Sequence, residues 1–321
     1  MKLIDSVTHK RRVAIVVQLG ILVMILGGLF GQLAYTRNDN TDDSIDLESV
    51  AVVKPATEKW EHLSQTQVRA RAAFVYDVNN EQVLYEKNAS QTLPIASITK
   101  LMTSMLSYEL IDQSESGEVS LDALRQNGIS GLEEGEKISL KDLSQLALIG
   151  SSNDAAYALA SSVGSYLGSN NATAQFVAGM NIRAEELQLD SLEFKNPTGL
   201  DLSPTEPGAV GSARDVSLLL AHIVSNYPEI VAPTQLAAAR VYSGTGQYHD
   251  AENTNDALYL IPNLLASKTG YTDLAGGNLT IAFDAGFNRP IVITVLGSTR
   301  DERFSDVVRI VRALEADIAN Q

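Results

Sequence analysis

The hydrophobic and polar positions of this chain fall into three regimes. Residues 13–35 form an apolar run without one charged side chain (VAIVVQLGILVMILGGLFGQLAY), residues 36–65 are polar and acidic, and from residue 66 onward apolar positions recur with strand and helix periods. As a helix rising ~1.5 Å per residue, the first run would be ~35 Å long, enough to cross ~30 Å of hydrocarbon. Lys10, Arg11 and Arg12 precede it, and Asp39, Asp42, Asp43 and Asp46 follow it. The positive-inside bias therefore predicts a cytoplasmic segment 1–12, a transmembrane anchor 13–35 and everything after it outside the cytoplasm. The run exceeds the ~7–15 apolar residues of a cleaved signal peptide, and Gln32 spoils a small-x-small site ending at Ala34. The polar stretch reads as a tether to the membrane, and the lone Trp60 near its end as a packing anchor.

The third regime predicts one folded domain over residues 66–321. Residues 71–77 and 82–86 alternate as strands around a turn at Asn79-Asn80. Helical spacing follows in residues 97–110, 140–148, 155–163, 176–187 and 213–223. Residues 240–248, 265–269, 279–283 and 291–296 are rich in β-branched and aromatic side chains, with a turn at Phe287-Asn288-Arg289 between the last two. A closing helix spaces Phe304, Val307, Val308, Val311, Leu314 and Ile318. Strands flanking a long helical stretch predict an α+β class: an antiparallel sheet flanked by helices, an inserted all-helical lobe, and a cleft between the two.

Composition narrows the chemistry. With 321 residues, 45% hydrophobic and 20% charged, the chain can bury a sizeable core. A net charge of -15, with no basic stripe, argues against a nucleic-acid partner. The absence of cysteine excludes disulfides and thiolate metal sites. The four histidines stand at no metal or triad spacing, so no metal, no cofactor and no histidine base is expected.

Three short strings carry the candidate chemistry: Ser97-Ile98-Thr99-Lys100, Ser151-Ser152-Asn153 and Lys268-Thr269-Gly270. On a helix Ser97 and Lys100 share a face, and the positive end of that helix favours a developing oxyanion, to which the Ser97 N–H can donate. A lysine with the ordinary pKa of ~10.4 is a poor base at neutral pH, so Lys100 is expected to be buried and neutral, with Lys268 as the second, charged cation. Ser151 would relay a proton to a leaving amine and the Asn153 amide would hold a substrate peptide bond, with Asp154 capping the next helix. Lys268 and the Thr269 hydroxyl would receive a carboxylate, Gly270 would admit substrate close to the backbone, and the Tyr271 N–H would complete an oxyanion hole. Ser169-Asn170-Asn171 also fits Ser-x-Asn, but no apolar helix leads into it.

With these strings in place the chain resembles the low-molecular-mass penicillin-binding proteins, the serine-type D-alanyl-D-alanine carboxypeptidases, from about residue 73 to 314. LPIASITKLMT, IGSSNDAA, FKNPTGLD and KTGYTDLAG are similar to that family's segments. The resemblance implies the β-lactamase/DD-peptidase-like fold, with Ser97, Lys100 and Ser151 catalytic and Asn153, Lys268, Thr269, Gly270 and Tyr271 on the substrate. Arg303, in GSTRDERF, is expected to help guide the substrate carboxylate. The implied substrate is a peptidoglycan stem peptide ending in D-Ala-D-Ala, with β-lactams as covalent inhibitors. Many relatives carry a further β-rich domain and a C-terminal membrane anchor; the N-terminal span is expected to replace that anchor. A wall DD-endopeptidase, a β-lactamase and a non-catalytic penicillin-binding sensor are the alternatives. Glu186-Leu187-Gln188-Leu189-Asp190 nearly matches a β-lactamase glutamate motif and is read as coincidence.

Overall fold

The computed structural model describes residues 60–321 other than Ile129 and Ser169. The expected cytoplasmic segment, anchor and most of the tether lie outside the described residues; within them no helix is long and apolar enough to cross a membrane. The folded body starts before residue 66. Helix α1 (Glu61–Gln65) buries Leu63, Trp60 is buried beside it, and the Arg289 guanidinium lies 5.5 Å over the indole. Trp60 and Leu63 thus pack as core and hold residues 60–65 on the folded body, because they supply the apolar area a tether lacks.

The centre is a five-stranded antiparallel sheet. Strands β1 (Ala72–Asp77) and β2 (Gln82–Lys87) form the N-terminal hairpin. Its turn places Glu81, not either asparagine, at positive φ (51°), because Asp77 accepts from the Asn80 backbone and side-chain N–H groups and fixes the earlier residues. Residues 240–248 are not one strand but a separate hairpin, β3 (Ala238–Tyr242) and β4 (Tyr248–Glu252), turning at Gly246 with φ 86°. Strands β5 (Leu264–Thr272), β6 (Gly276–Asp284) and β7 (Pro290–Ser298) complete the sheet. Its order is β5-β6-β7-β1-β2, leaving β5 at an edge.

Alternation along these strands makes two cores. Ala73, Val75, Leu279, Ile281, Phe283, Ile291, Ile293 and Val295 pack against the closing helix α7 (Glu302–Ala319). Phe74, Ala282, Val292 and Leu296 face the helices of the middle of the chain. Those are α2 (Lys100–Leu110), α3 (Leu140–Ile149), α4 (Asn153–Leu167), α5 (Ala172–Glu186) and α6 (Ala213–Asn226). A closing helix with two buried aspartates ties down the entering chain. Asp317 accepts from the His62 and Leu63 backbone N–H groups, both at 2.9 Å, and Asp306 from those of Arg69 and Ala70 at 2.8 and 2.9 Å.

Ser97 does not open an α-helix. It lies in a 3-10 turn (Ala96–Thr99) ahead of α2, entered through Ala96 at φ 49°. Helical periodicity cannot separate the two, since both leave Ser97 and Lys100 within reach.

Candidate active site

Edge strand β5, the 3-10 turn and the start of α4 converge on a cleft of about 420 Å³. Ser97, Ser151, Asn153, Thr269, Gly270, Tyr271 and Arg303 line it, while Lys100 and Lys268 are buried beneath its floor. The structure therefore brings together every candidate site residue.

Lys100 has three partners. Its Nζ lies 2.7 Å from Ser97 Oγ, 2.8 Å from Asn153 Oδ1 and 2.9 Å from the Thr198 carbonyl. The Asn153 orientation follows from its other end, where Nδ2 donates to the Asn127 carbonyl, an oxygen that can only accept. Burial, and then the charge on Lys268, hold the Lys100 amine well below its usual pKa.

Thr198 is delivered by the segment FKNPTGLD. Asn196 Oδ1 accepts from the Thr198 and Gly199 N–H groups, at 3.1 and 2.7 Å, and from the Thr198 hydroxyl at 2.9 Å. Gly199 has φ +78°, and a Cβ there would stand 1.9 Å from the Ala96 carbonyl oxygen. The loop can lie against the nucleophile turn only because residue 199 has no side chain. Sequence reading marked this segment as characteristic but assigned it no role; the functional atom is a backbone oxygen, which no residue type announces. Asn127 was missed for the same reason.

Ser151 sits at φ 57°, which turns its side chain back toward β5, and its Oγ accepts from Lys268 Nζ at 2.9 Å. Ser152, not Asp154, caps α4 by accepting from the Ala155 N–H. Asp154 instead accepts from the Ser130 hydroxyl, and burial raises its carboxyl pKa.

Two expectations for the third string change. Lys268 is not permanently charged: burial, and then the nearby Arg303 cation, lower its pKa to about 7. Its remaining partner is the Thr269 carbonyl at 3.0 Å. Gly270 serves the protein's own packing, since a Cβ there would meet the Ile95 carbonyl oxygen at 2.7 Å and push β5 off the nucleophile turn. Thr269 shares a hydrogen bond with the Thr254 hydroxyl, a neighbour sequence reading did not find. Arg303 donates from Nη1 to the Gly270 carbonyl at 2.9 Å and stacks 4.6 Å over Phe304. Burial lowers its pKa, yet a guanidinium remains charged at physiological pH.

The residues of the alternative chemistries lie elsewhere. Glu186 ends α5 in an ion pair with Arg183, outside the residues lining the cleft. Among the described histidines, His62 pairs with Asp317 and His249 with Glu136, and none lines the cleft.

Comparison with known proteins agrees with this geometry. A family model described as D-alanyl-D-alanine carboxypeptidase matches residues 59–300. The chain is 30% identical over 262 residues to D-alanyl-D-alanine carboxypeptidase DacF of Bacillus subtilis, covering 80% of this chain and 64% of that protein. It is 33% identical over 264 residues to a D-alanyl-D-alanine endopeptidase of Pseudomonas aeruginosa, covering 78% and 79%. Penicillin-binding protein D2 of Listeria monocytogenes, solved in a cefotaxime-bound form, superposes with a TM-score of 0.66 at 30% identity, covering 78% of this chain and 98% of that one. The serine and two lysines of this cleft, the fold that assembles them and the family match over residues 59–300 agree, and the chain belongs to the D-alanyl-D-alanine carboxypeptidase family of serine peptidases.

Proposed function

We propose that this protein is a serine DD-carboxypeptidase that removes the terminal D-alanine from peptidoglycan stem peptides through an acyl-enzyme. The observation that carries the reading is the coordination of the Lys100 amine. A neutral amine has two N–H bonds and one lone pair. The Asn153 and Thr198 oxygens can only accept, so both N–H bonds are directed to them and the lone pair faces the Ser97 hydroxyl at 2.7 Å. That is the arrangement a general base needs.

In this reading the substrate carboxylate is received by Thr269 and Arg303, with the Lys268 charge below them, which lays the last peptide bond over Ser97. Ser97 Oγ forms a bond to the penultimate alanine carbonyl carbon as its proton passes to Lys100. The backbone N–H groups of Ser97 and Tyr271 are the donors proposed for the oxyanion. One Nδ2 hydrogen of Asn153 is engaged by Asn127, leaving the other for a substrate carbonyl. The C–N bond then breaks while the departing nitrogen takes a proton through Ser151. Lys100, neutral again, deprotonates the water that hydrolyses the ester.

A cell-membrane location, with the catalytic domain held outside the cytoplasm by a single-pass anchor at residues 13–35, is part of the proposal. Its support is the length of the apolar run and the charges flanking it. β-Lactams are proposed to acylate Ser97, in keeping with the cefotaxime and ampicillin forms of the Listeria protein. The test is D-alanine release from a synthetic stem pentapeptide by full-length protein in detergent. Ser97→Ala is expected to abolish release and the ampicillin adduct seen by mass spectrometry; equal release by both proteins would refute the nucleophile. Rapid, sustained turnover of a chromogenic β-lactam would favour a β-lactamase instead.

A further inference from the structure

The Asn153 amide has to be held one way round, with its oxygen on Lys100 and its nitrogen toward the substrate. The two ends of an amide are nearly alike in size and shape, so only their partners decide which end points where. Here Nδ2 donates to the Asn127 carbonyl while Oδ1 accepts from Lys100 Nζ at 2.8 Å. Turned over, the amide would aim an N–H at Lys100, which could receive it only with the lone pair that serves Ser97, and its oxygen would face the substrate carbonyl, acceptor against acceptor. The other acceptor of Lys100, the Thr198 carbonyl, has no second orientation and is fixed by Asn196.

The Asn127 carbonyl belongs to a segment with few ties of its own. Among the described residues, residues 127–132 make no backbone-to-backbone hydrogen bond, and Asn127 and Gly128 are exposed. Ser130 fastens the segment: its hydroxyl donates to Asp154 Oδ2 and accepts from the Leu132 N–H at 3.3 Å. Further on the chain is anchored independently, since the Gly135 N–H donates to the Val119 carbonyl at 2.8 Å and buried Glu136 Oε1 lies 2.7 Å from His249 Nε2. Loss of the Ser130 tie would therefore free the Asn127 end and leave the rest in place.

Asp154 has no other partner to satisfy. It is buried, Ser152 rather than Asp154 caps α4, and among the described residues it makes no ion pair and its Oδ1 accepts no hydrogen bond. A buried carboxyl group with an idle oxygen costs free energy. The positive end of α4 offsets part of that cost, and the Ser130 hydroxyl is the one hydrogen-bond donor that offsets more.

We infer that Asp154 is a positioning residue for acyl transfer: through Ser130 it holds residues 127–132 on the start of α4, so that the Asn127 carbonyl keeps the Asn153 amide turned with its oxygen to Lys100 and its nitrogen to the substrate. Asp154 acts through Asn153 and touches none of the reacting atoms. The inference rests on the acyl-transfer reading above.

The test follows, in full-length protein, the second-order rate of Ser97 acylation by a labelled penicillin. Asp154→Ala and Ser130→Ala are each expected to lower it about tenfold, the weight of one hydrogen bond, and the double variant to fall no further. Asp154→Asn, whose carbonyl oxygen can still accept from Ser130, is expected to stay within about twofold of wild type. Asp306→Ala, which loses hydrogen bonds outside the cleft, reports what lost stability alone does to the rate. In an Asn153→Ala background there is no amide left to orient, so adding Asp154→Ala is expected to change acylation by less than about twofold. A tenfold loss repeated in that background, or losses that multiply between Asp154→Ala and Ser130→Ala, overturn the assignment, as does an Asp154→Ala that acylates at the wild-type rate. Wild-type protein that forms no Ser97 adduct overturns instead the acyl-transfer reading underneath.

Discussion

Raising the pH should weaken substrate binding before it touches catalysis, because the Lys268 charge is lost near neutrality. Burial and the Arg303 cation hold Lys268 at about 7 in the free enzyme. About half of it is then charged at pH 7, roughly a tenth at pH 8 and about a hundredth at pH 9. KM for a substrate with a free carboxylate should therefore climb above pH 7, approaching tenfold per pH unit. The climb has a ceiling, since Arg303 stays charged and a neutral amine still donates a hydrogen bond. A contact to a charged group is stronger than a neutral one by ~1–2 kcal/mol, so the total rise should level off at roughly 5–30-fold. A bound carboxylate favours the protonated amine, so the enzyme–substrate complex keeps Lys268 charged and kcat should hold steady over the same range.

The assay is D-alanine release at several substrate concentrations between pH 6 and 9. A matched peptide whose carboxyl terminus is an amide serves as the control, because without the substrate charge the alkaline rise in KM should vanish. Lys100 sets the opposite limb: its amine must be neutral to act, so protonation on the acid side should lower kcat, since burial and the Lys268 charge put its pKa well below the ordinary lysine value. A KM that stays flat from pH 6 to 9 for the free acid, or rises equally for the amide, refutes the account of Lys268 as a titrating receptor.

Gly199→Ala should lower both stability and the rate of acylation by a labelled penicillin, because the added Cβ would lie 1.9 Å from the Ala96 carbonyl oxygen at a φ of +78°. The left-handed backbone alone costs ~1–2 kcal/mol; Gly246→Ala, with φ +86° and nothing within 4 Å, supplies that cost by itself and should leave acylation unchanged. Matched acylation rates in the two variants would show that Thr198 need not be held against Lys100. Asp306→Ala removes the acceptor for the Arg69 and Ala70 backbone N–H groups and for the Ser298 hydroxyl, at an expected cost of about 3 kcal/mol. By differential scanning calorimetry the melting temperature should fall by roughly 6–12 °C, with acylation at 25 °C retained; a shift under about 2 °C would contradict the cap.

What was legible in the sequence was whatever a side chain announces by type and spacing. Ser97 and Lys100 three apart, the apolar end of α3 leading into Ser151, and the run from Lys268 to Gly270 gave the cleft its members. The need for a neutral base predicted that Lys100 would be buried and have a second cation nearby. Three things could not be read. The carbonyls of Thr198 and Asn127 have no residue signature, because every residue carries the same oxygen. The β3–β4 hairpin was read as one strand, since Ser243, Gly244 and Gly246 interrupt the β-rich residues too briefly to break the pattern. The depth of Lys268 depends on a non-local fact, that Ser151 and Thr269 close over it and Arg303 stands nearby, and nothing within Lys268-Thr269-Gly270 encodes that.

The neutrality of Lys100 is therefore a property of the assembly. Its acceptors come from the start of α4 and the loop after α5, its target from the 3-10 turn, and the cation that depresses it from edge strand β5. Two of these segments, the loop after α5 and strand β5, are held to the turn by a close backbone approach, Gly199 against Ala96 and Gly270 against Ile95. A small separation of the strand from the helical lobe would admit water and move Lys268 away, and both changes return Lys100 toward its ordinary, protonated state. The base is active only while lobe and sheet are closed together, which makes the two glycines, beside Lys100 and Lys268 themselves, residues on which the reactivity of Ser97 depends.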